Sequence, residues 1–208
     1  NYNSAIATFC HNIARSLPIK VNDPAAPVTL VYVDDVIERF VQLMDGADAA
    51  VDVDGFATVA PQYTTTVGEL ARQIQVFKDS RDSLMTERVG TGLVRALYST
   101  YVSYLPVELF AYTVPQHADP RGVFVEMLKT PDAGQFSYFT AHPGITRGGH
   151  YHHSKTEKFL VIKGQARFKF RHMQTGQAHE LLTSGEKAEI GRASCRERVF
   201  RAVYISGV

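Results

Sequence analysis

The stretch GITRGGHYHHSKTEKFLVIKG, residues 144–164, constrains the fold of this chain more than any other. Its spacing is Gly144-x5-His150-x-His152-x4-Glu157-x6-Gly164. Side chains on a strand alternate with period two, so His150 and His152 place both rings on one face. Glu157 follows five residues after His152, close enough for its carboxylate to meet the same ion. Imidazole and carboxylate are the donors that borderline divalent metals take, zinc foremost. The pattern therefore predicts a metal site with His150, His152 and Glu157 as ligands. His153 falls on the opposite face from His152 and is read as a solvent or substrate contact.

Five residues at this spacing resemble the first metal-binding motif of the cupin superfamily. The resemblance implies a β-barrel whose glycines make the hairpin turns, with His150 as the catalytic residue as well as a ligand. It also implies a further histidine from a second motif, and no such motif follows up to residue 189. Without a metal, the same histidines at a barrel mouth would bind substrate directly. The segment contains a decoy, because Tyr151 to Lys155 spells Tyr-x-x-x-Lys, the signature of short-chain dehydrogenases. That signature works on a helix, where residues four apart share a face and the lysine can lower the tyrosine pKa. In a strand-and-turn context the logic fails, and the match is read as coincidence.

Before this motif the pattern is different. Residues 4–17 carry Ile6, Phe9, Cys10 and Ile13 at helical spacing and stop before Pro18. Residues 28–33 read as a buried strand, followed by a helix capped at Asp35 with Glu38 three residues on. A short strand is expected at 56–59. Thr66-Val-Gly-Glu69 is a capping box opening a helix through Leu70, Ile74 and Phe77. A further helix is expected at 91–105, ended by Pro106, with Tyr98, Tyr101 and Tyr104 as a stripe packing on the neighbouring domain. Cys10 is read as a small core residue, and His11 and Arg15 as a solvated face. Residues 1–105 are thus α/β, 106–116 a proline-rich linker, and 117–189 all-β, with strands expected at 123–128, 135–141, 158–162, 166–171 and 178–182.

The strand ending Val31-Tyr32-Val33-Asp34-Asp35-Val36, preceded by NYNSAIATFCHNIAR, resembles the C-terminal part of an extended short-chain dehydrogenase of Rossmann type. Asp119-Pro-Arg121-Gly122 and Thr146-Arg147-Gly148-Gly149-His150 are similar to segments of the deoxysugar-nucleotide 3,5-epimerases. This order, a partial dehydrogenase followed by a truncated cupin, resembles the bifunctional UDP-4-keto-6-deoxy-N-acetylhexosamine reductases and 3-epimerases of capsular and O-antigen polysaccharide synthesis, on the route to UDP-N-acetyl-L-fucosamine. The resemblance implies NADPH, a UDP-sugar substrate, a homodimer when intact and a cytoplasmic location. It makes Asn3 and Ser4 candidate cofactor contacts and Arg121, Arg147 and Lys155 candidate substrate contacts. Two bland alternatives stand beside these: Arg121 as a turn residue paired with Asp119, and Ser4 as a helix N-cap. Rival readings are a metal-dependent cupin of non-sugar chemistry, dioxygenase-like, or a non-catalytic sugar-binding cupin. Since no glycine fingerprint for a pyrophosphate is present, the catalytic dehydrogenase parts are expected upstream of Asn1.

Residues 190–199, IGRASCRERV, are what a common sequencing-library adapter encodes in one reading frame, so 190–208 is expected to be translated adapter. That tail holds Arg192, Arg196, Arg198 and Arg201 against Glu197, so its removal lowers the formal net charge from +1 by three, to −2. A nucleic-acid partner, which wants a basic stripe, then loses its support. Cys10 would be the only cysteine left, which fits a reducing compartment. No apolar run approaches the roughly 18 residues of a membrane span, and no membrane partner is expected. Reading the source nucleotides past codon 189 is expected to return the adapter string; an unrelated codon string would sink the assignment.

Overall fold

The computed structural model describes residues 4–150, 156–172, 174–187, 190–194 and 199–206. Two units emerge: Asn1–Val114 with Met127–Phe136, and Pro115–Glu126 with Ser137–Val208.

In the first unit the apolar spacing expected for residues 4–17 becomes α1 (Ala5–Ala14), which buries Phe9, Cys10, Ile13 and Ala14. Ser4 caps it, its Oγ accepting from the Ala7 N–H at 3.4 Å. The chain continues through β1 (Pro27–Leu30), α2 (Val33–Met44), β2 (Tyr63–Thr66), α3 (Val67–Ser83) and α4 (Gly92–Ser103). Helices α1, α3 and α4 enclose the core, where Cys10, Ile74, Phe77, Leu97 and Tyr101 meet. Phe77 is 2% exposed. It meets Tyr98 edge-on at 5.2 Å and Tyr101 at 6.0 Å. The tyrosine stripe of α4 therefore packs inside its own unit, which corrects the expectation of a neighbouring domain. Arg15, read as solvated, ties α1 to the end of α4 by donating to the Tyr104 carbonyl at 3.0 Å.

Two further expectations are corrected here. Residues 56–59 contribute only an isolated bridge, Val51 to Ala57. The strand that forms is β2, which pairs antiparallel with β1 from Pro27↔Thr66 to Leu30↔Tyr63. Helix α2 starts earlier than Asp35, with Tyr32 as its N-cap. Asp34 and Asp35 then lie in the first turn, where carboxylates favour the positive end of the helix dipole. The capping box at α3 forms by half: Thr66 Oγ1 accepts from the Glu69 N–H at 3.2 Å, while the Glu69 carboxylate pairs with Arg72 at 2.6 Å.

After a short 3-10 turn at Val107–Leu109, the elements among the described residues are all strands. β3 (Gln116–Asp119), β4 (Gly122–Thr130) and β5 (Gly134–Phe139) form one three-stranded sheet. The tip of the β4–β5 hairpin, Met127–Phe136, counts with the first unit. It is held there by the Thr86 N–H to the Lys129 carbonyl (2.8 Å), the Lys129 N–H to the Leu84 carbonyl (2.7 Å) and the Arg88–Asp132 ion pair (2.6 Å). In the second unit β6 (Thr146–His150), β11 (Val199–Ser206), β8 (Gln165–His172) and β9 (Ala178–Ser184) lie side by side in that order. β7 (Thr156–Leu160) pairs separately with β10 (Ile190–Ser194). Its small core is Ala166 and Phe168 against Phe159, Val161 and Phe170. The strands expected between 123 and 182 all form, and β3, β6, β10 and β11 add four more among the described residues.

Phe77 lies in the core cluster to which α1, α3 and α4 all contribute, so truncating it opens a cavity there. Phe77→Ala is expected to cost about 3–5 kcal/mol in chemical denaturation. Val53→Ala, at a fully exposed side chain, is expected to stay within about 0.5 kcal/mol.

Candidate functional site: an arginine pair around Asp119

The segment Asp119-Pro-Arg-Gly122 folds as it does because Asp119 closes its own turn. Oδ1 accepts from the Arg121 backbone N–H at 2.8 Å, and Oδ2 accepts from Arg121 Nε at 3.0 Å and Nη2 at 2.6 Å. Gly122 has φ +136°, and a Cβ there would run into the Thr140 carbonyl. That absence of a side chain lets the Thr140 N–H reach the Val123 carbonyl at 2.8 Å and the His142 N–H reach the Arg121 carbonyl at 3.1 Å. Arg121 is thus engaged in a turn with Asp119 and remains over half exposed.

Arg147 comes to the same carboxylate from β6. Its Nη2 lies 3.6 Å from Asp119 Oδ1, near enough to attract but longer than a hydrogen bond. Its guanidinium carbon sits 5.5 Å from the centre of the Phe139 ring. The side chain is only 15% exposed, and Nε and Nη2 are buried without a hydrogen-bond partner among the described residues. Arg121 hydrogen bonds, from the side chain first and the backbone second, hold the Asp119 carboxyl below the usual range; Arg147 adds a smaller coulombic pull. Since Arg121 already takes up most of the Asp119 charge, Arg147 keeps donors to spare. Two adjacent guanidinium N–H groups match two oxygens of a phosphate or carboxylate.

β6 is irregular in its register. Opposite β11, Arg147 pairs with Val203, Gly148 with Ala202 and His150 with Arg201, so Gly149 is an extra residue. Gly149 has φ +77°, as a bulge residue in the left-handed region requires. Because one residue is skipped, positions 147 and 150 fall opposite Val203 and Arg201, partners two apart. Gly144 and Gly164, also at positive φ, sit at turns as the motif implied.

The remaining candidates are distributed as follows. Glu157 lies half-buried on β7, opposite Ala193. His152 and Lys155 lie in 151–155, outside the described residues, as does Asn3. Ser4 lies in the first unit, where it caps α1; its hydroxyl proton is left to donate. Among the described residues no three His, Cys, Asp or Glu side chains converge on one point. A cleft in the first unit, lined by Phe77, Arg81, Tyr98, Tyr112 and Met127 among others, contains none of the candidates. The Asp119–Arg147 pair was missed by sequence reasoning, since 28 residues separate the two and only the fold joins them.

The second half is strand-rich, with a half-exposed Asp119 turn and a buried arginine beside a glycine-rich segment. Residues 117–194 match the family described as Polysaccharide biosynthesis C-terminal domain. The chain is 64% identical over 191 residues to the UDP-2-acetamido-2,6-beta-L-arabino-hexul-4-ose reductase of Pseudomonas aeruginosa. Those residues are 91% of this chain and 50% of that protein, so the chain spans about half the length of its curated relative. Among solved structures it is similar to CapF with the inhibitor 3-isopropenyl-tropolone: TM-score 0.93, 39% identity, covering 100% of this chain and 59% of that one. The capsular polysaccharide assembling protein CapF of Staphylococcus aureus gives 0.92 and 39%, covering 100% and 55%. The resemblance to the bifunctional nucleotide-sugar reductases read from the sequence is borne out by these relatives.

The depressed Asp119 pKa implies a sign: its interaction with Arg121 is present above the unfolded carboxyl value, about 3.9, and is lost as pH falls through the lower folded value. NMR titration should therefore give an Asp119 midpoint below about 3.9, rising toward it in Arg121→Ala. An unchanged midpoint in the variant would contradict the assignment.

Proposed function

We propose that this chain is part of a nucleotide-sugar enzyme that epimerises a UDP-2-acetamido-2,6-dideoxy-hexos-4-ulose at carbon 3 in a cupin domain. An extended short-chain dehydrogenase domain then reduces it at carbon 4 with NADPH. The observation that carries this reading is the 64% identity to a reductase of such a sugar across 91% of the chain. Arg147 supports it locally: two buried N–H groups without partners among the described residues suit the diphosphate of a nucleotide sugar. Asp119 would hold Arg147 in place without neutralising it, because Arg121 hydrogen-bonds the same carboxylate.

The donor set of His150, His152 and Glu157 suits zinc, and a half-buried carboxylate on β7 is compatible with a ligand. When bound there, zinc would supply Lewis-acid stabilisation of the oxyanion that forms when the carbon 3 proton leaves. In this reading Arg147 orients the substrate by its phosphates. Lys155 would add a second cationic contact. Ser4, with its spare hydroxyl proton, and Asn3 would touch the cofactor from the dehydrogenase side. The intact enzyme is proposed to be a cytoplasmic homodimer; no helix among the described residues is long and apolar enough to cross a membrane.

The test uses the intact enzyme carrying this segment. Deuterium exchange at carbon 3 of the 4-keto sugar in D2O should be abolished by a strong chelator and restored by zinc. Exchange that survives metal removal overturns the metal's role. Arg147→Ala should raise KM for the nucleotide sugar by roughly 10- to 100-fold, the loss of a charged hydrogen bond, with a smaller effect on kcat; an unchanged KM removes Arg147 from the substrate site.

A further inference from the structure

The cleft of the first unit lies among α3, α4, the loop that joins them and Tyr112 beyond, and encloses about 90 Å³. That is several times the roughly 10–15 Å³ one water needs, and well short of the roughly 300 Å³ at which sites for larger ligands begin. A nucleotide sugar or a dinucleotide is too large for it, while a molecule of one ring fits. Phe77, Tyr98, Tyr101 and Tyr112 supply aromatic walls, and Arg81 and Glu87 supply charge.

Two groups in this cleft have hydrogens to donate. Tyr101 is 2% exposed, and its hydroxyl makes no hydrogen bond among the described residues. The hydroxyl is not one of the sealed polar atoms, so the little surface Tyr101 keeps includes it, and the O–H opens into the cleft. Burial pushes the Tyr101 pKa up and the nearby Arg81 charge pulls it partly back, so at neutral pH the group is a donor. A nearly buried donor without a partner carries a cost that an acceptor would relieve. Arg81 donates from Nη1 to the Leu109 carbonyl, and its guanidinium carbon stands 5.0 Å from the centre of the Tyr112 ring. It makes no ion pair among the described residues, which leaves further N–H groups for an anion. Glu87 acts electrostatically on Arg72, outside the cleft, and its own charge disfavours a ligand with two negative charges.

We propose that this cleft binds a small monocarboxylate carried on one apolar ring, its carboxylate accepting from Arg81 and the Tyr101 hydroxyl and its ring set against the tyrosines. One cation, one neutral donor and aromatic walls suit such a ligand better than phosphate, which brings more charge and no apolar surface. The inference stands apart from the proposed function, since it uses none of the residues assigned there.

The probe is fluorobenzoate, followed by fluorine NMR on the intact enzyme carrying this segment. Saturable binding with a Kd of about 5 mM or tighter is expected; weaker binding overturns the proposal. Tyr101→Phe and Arg81→Gln are each expected to weaken binding at least fivefold, and a smaller change in both overturns it. Arg147→Ala is expected to leave binding intact; loss there would place the probe at the other arginine and overturn the assignment. Neutral fluorobenzamide and inorganic phosphate are expected to displace the probe at least tenfold more weakly than unlabelled benzoate, and closer affinities count against a carboxylate site. Because Tyr101→Phe keeps the ring, its melting temperature without probe is expected to stay within about 2 °C of the parent. A larger fall would mean that the hydroxyl already has a partner, which also overturns the proposal. Binding of fluorobenzoate without turnover of the 4-keto sugar counts against the proposed function and for this cleft.

Discussion

Among the described residues, the strand that carries Arg147 and His150 has one hydrogen-bonded neighbour, β11, and the position of the candidate site depends on that ladder. β6 lies at the edge of the order β6-β11-β8-β9, so no other described strand of that sheet fixes its register. The neighbour belongs to residues 190–208, the segment expected from the sequence to be translated adapter. A ladder is built from main-chain N–H and C=O groups, which every non-proline residue carries. A β-prone string such as Val199 to Ser206 can fill the place between β6 and β8 whatever its origin, because alternation and length are what pairing asks of it. What such a string leaves undetermined is the chemistry of the side chains it brings to the sheet.

Around that ladder, the anion-binding potential comes from an imbalance of charge. One carboxylate, Asp119, faces two guanidinium groups and is hydrogen-bonded to one of them. The Arg121 contacts are local, made across a two-residue separation, and would form in almost any context that allows the turn. Arg147 arrives from a different strand and is screened from water by its own burial and the ring of Phe139. A guanidinium in that position gains more from a bound anion than an exposed one, since desolvation has already occurred and the surrounding dielectric is low.

The first unit works by different means. Its stability resides in α1, α3 and α4, whose core side chains recur at helical spacing and could be read from the sequence: Cys10, Ile74 and Phe77 are all buried as their positions imply. Burial also pushes the Cys10 thiol up to about 12, which keeps it inert as a small core residue. Where reading failed, the failure was one of partner choice. Residues 56–59 look as strand-like as 63–66, yet only the latter find β1, and pairing across more than thirty residues leaves no local trace. Likewise, α2 has the spacing of a core helix while its apolar face meets no layer among the described residues.

Local patterns by themselves determined most elements: helices where apolar residues recur at 3.6, strands where β-branched and aromatic residues alternate, and turns at Gly144, Gly164 and the Asp119 corner. These depend on backbone preferences and on neighbours a few residues away. The sequence also carried the donor set proposed for a metal, His150, His152 and Glu157, because ligand chemistry is a property of residue type. Only the tertiary structure decided that Arg147 shares Asp119 with Arg121 and that Gly149 is a bulge. Both follow from pairing between distant strands, whose register no short segment contains.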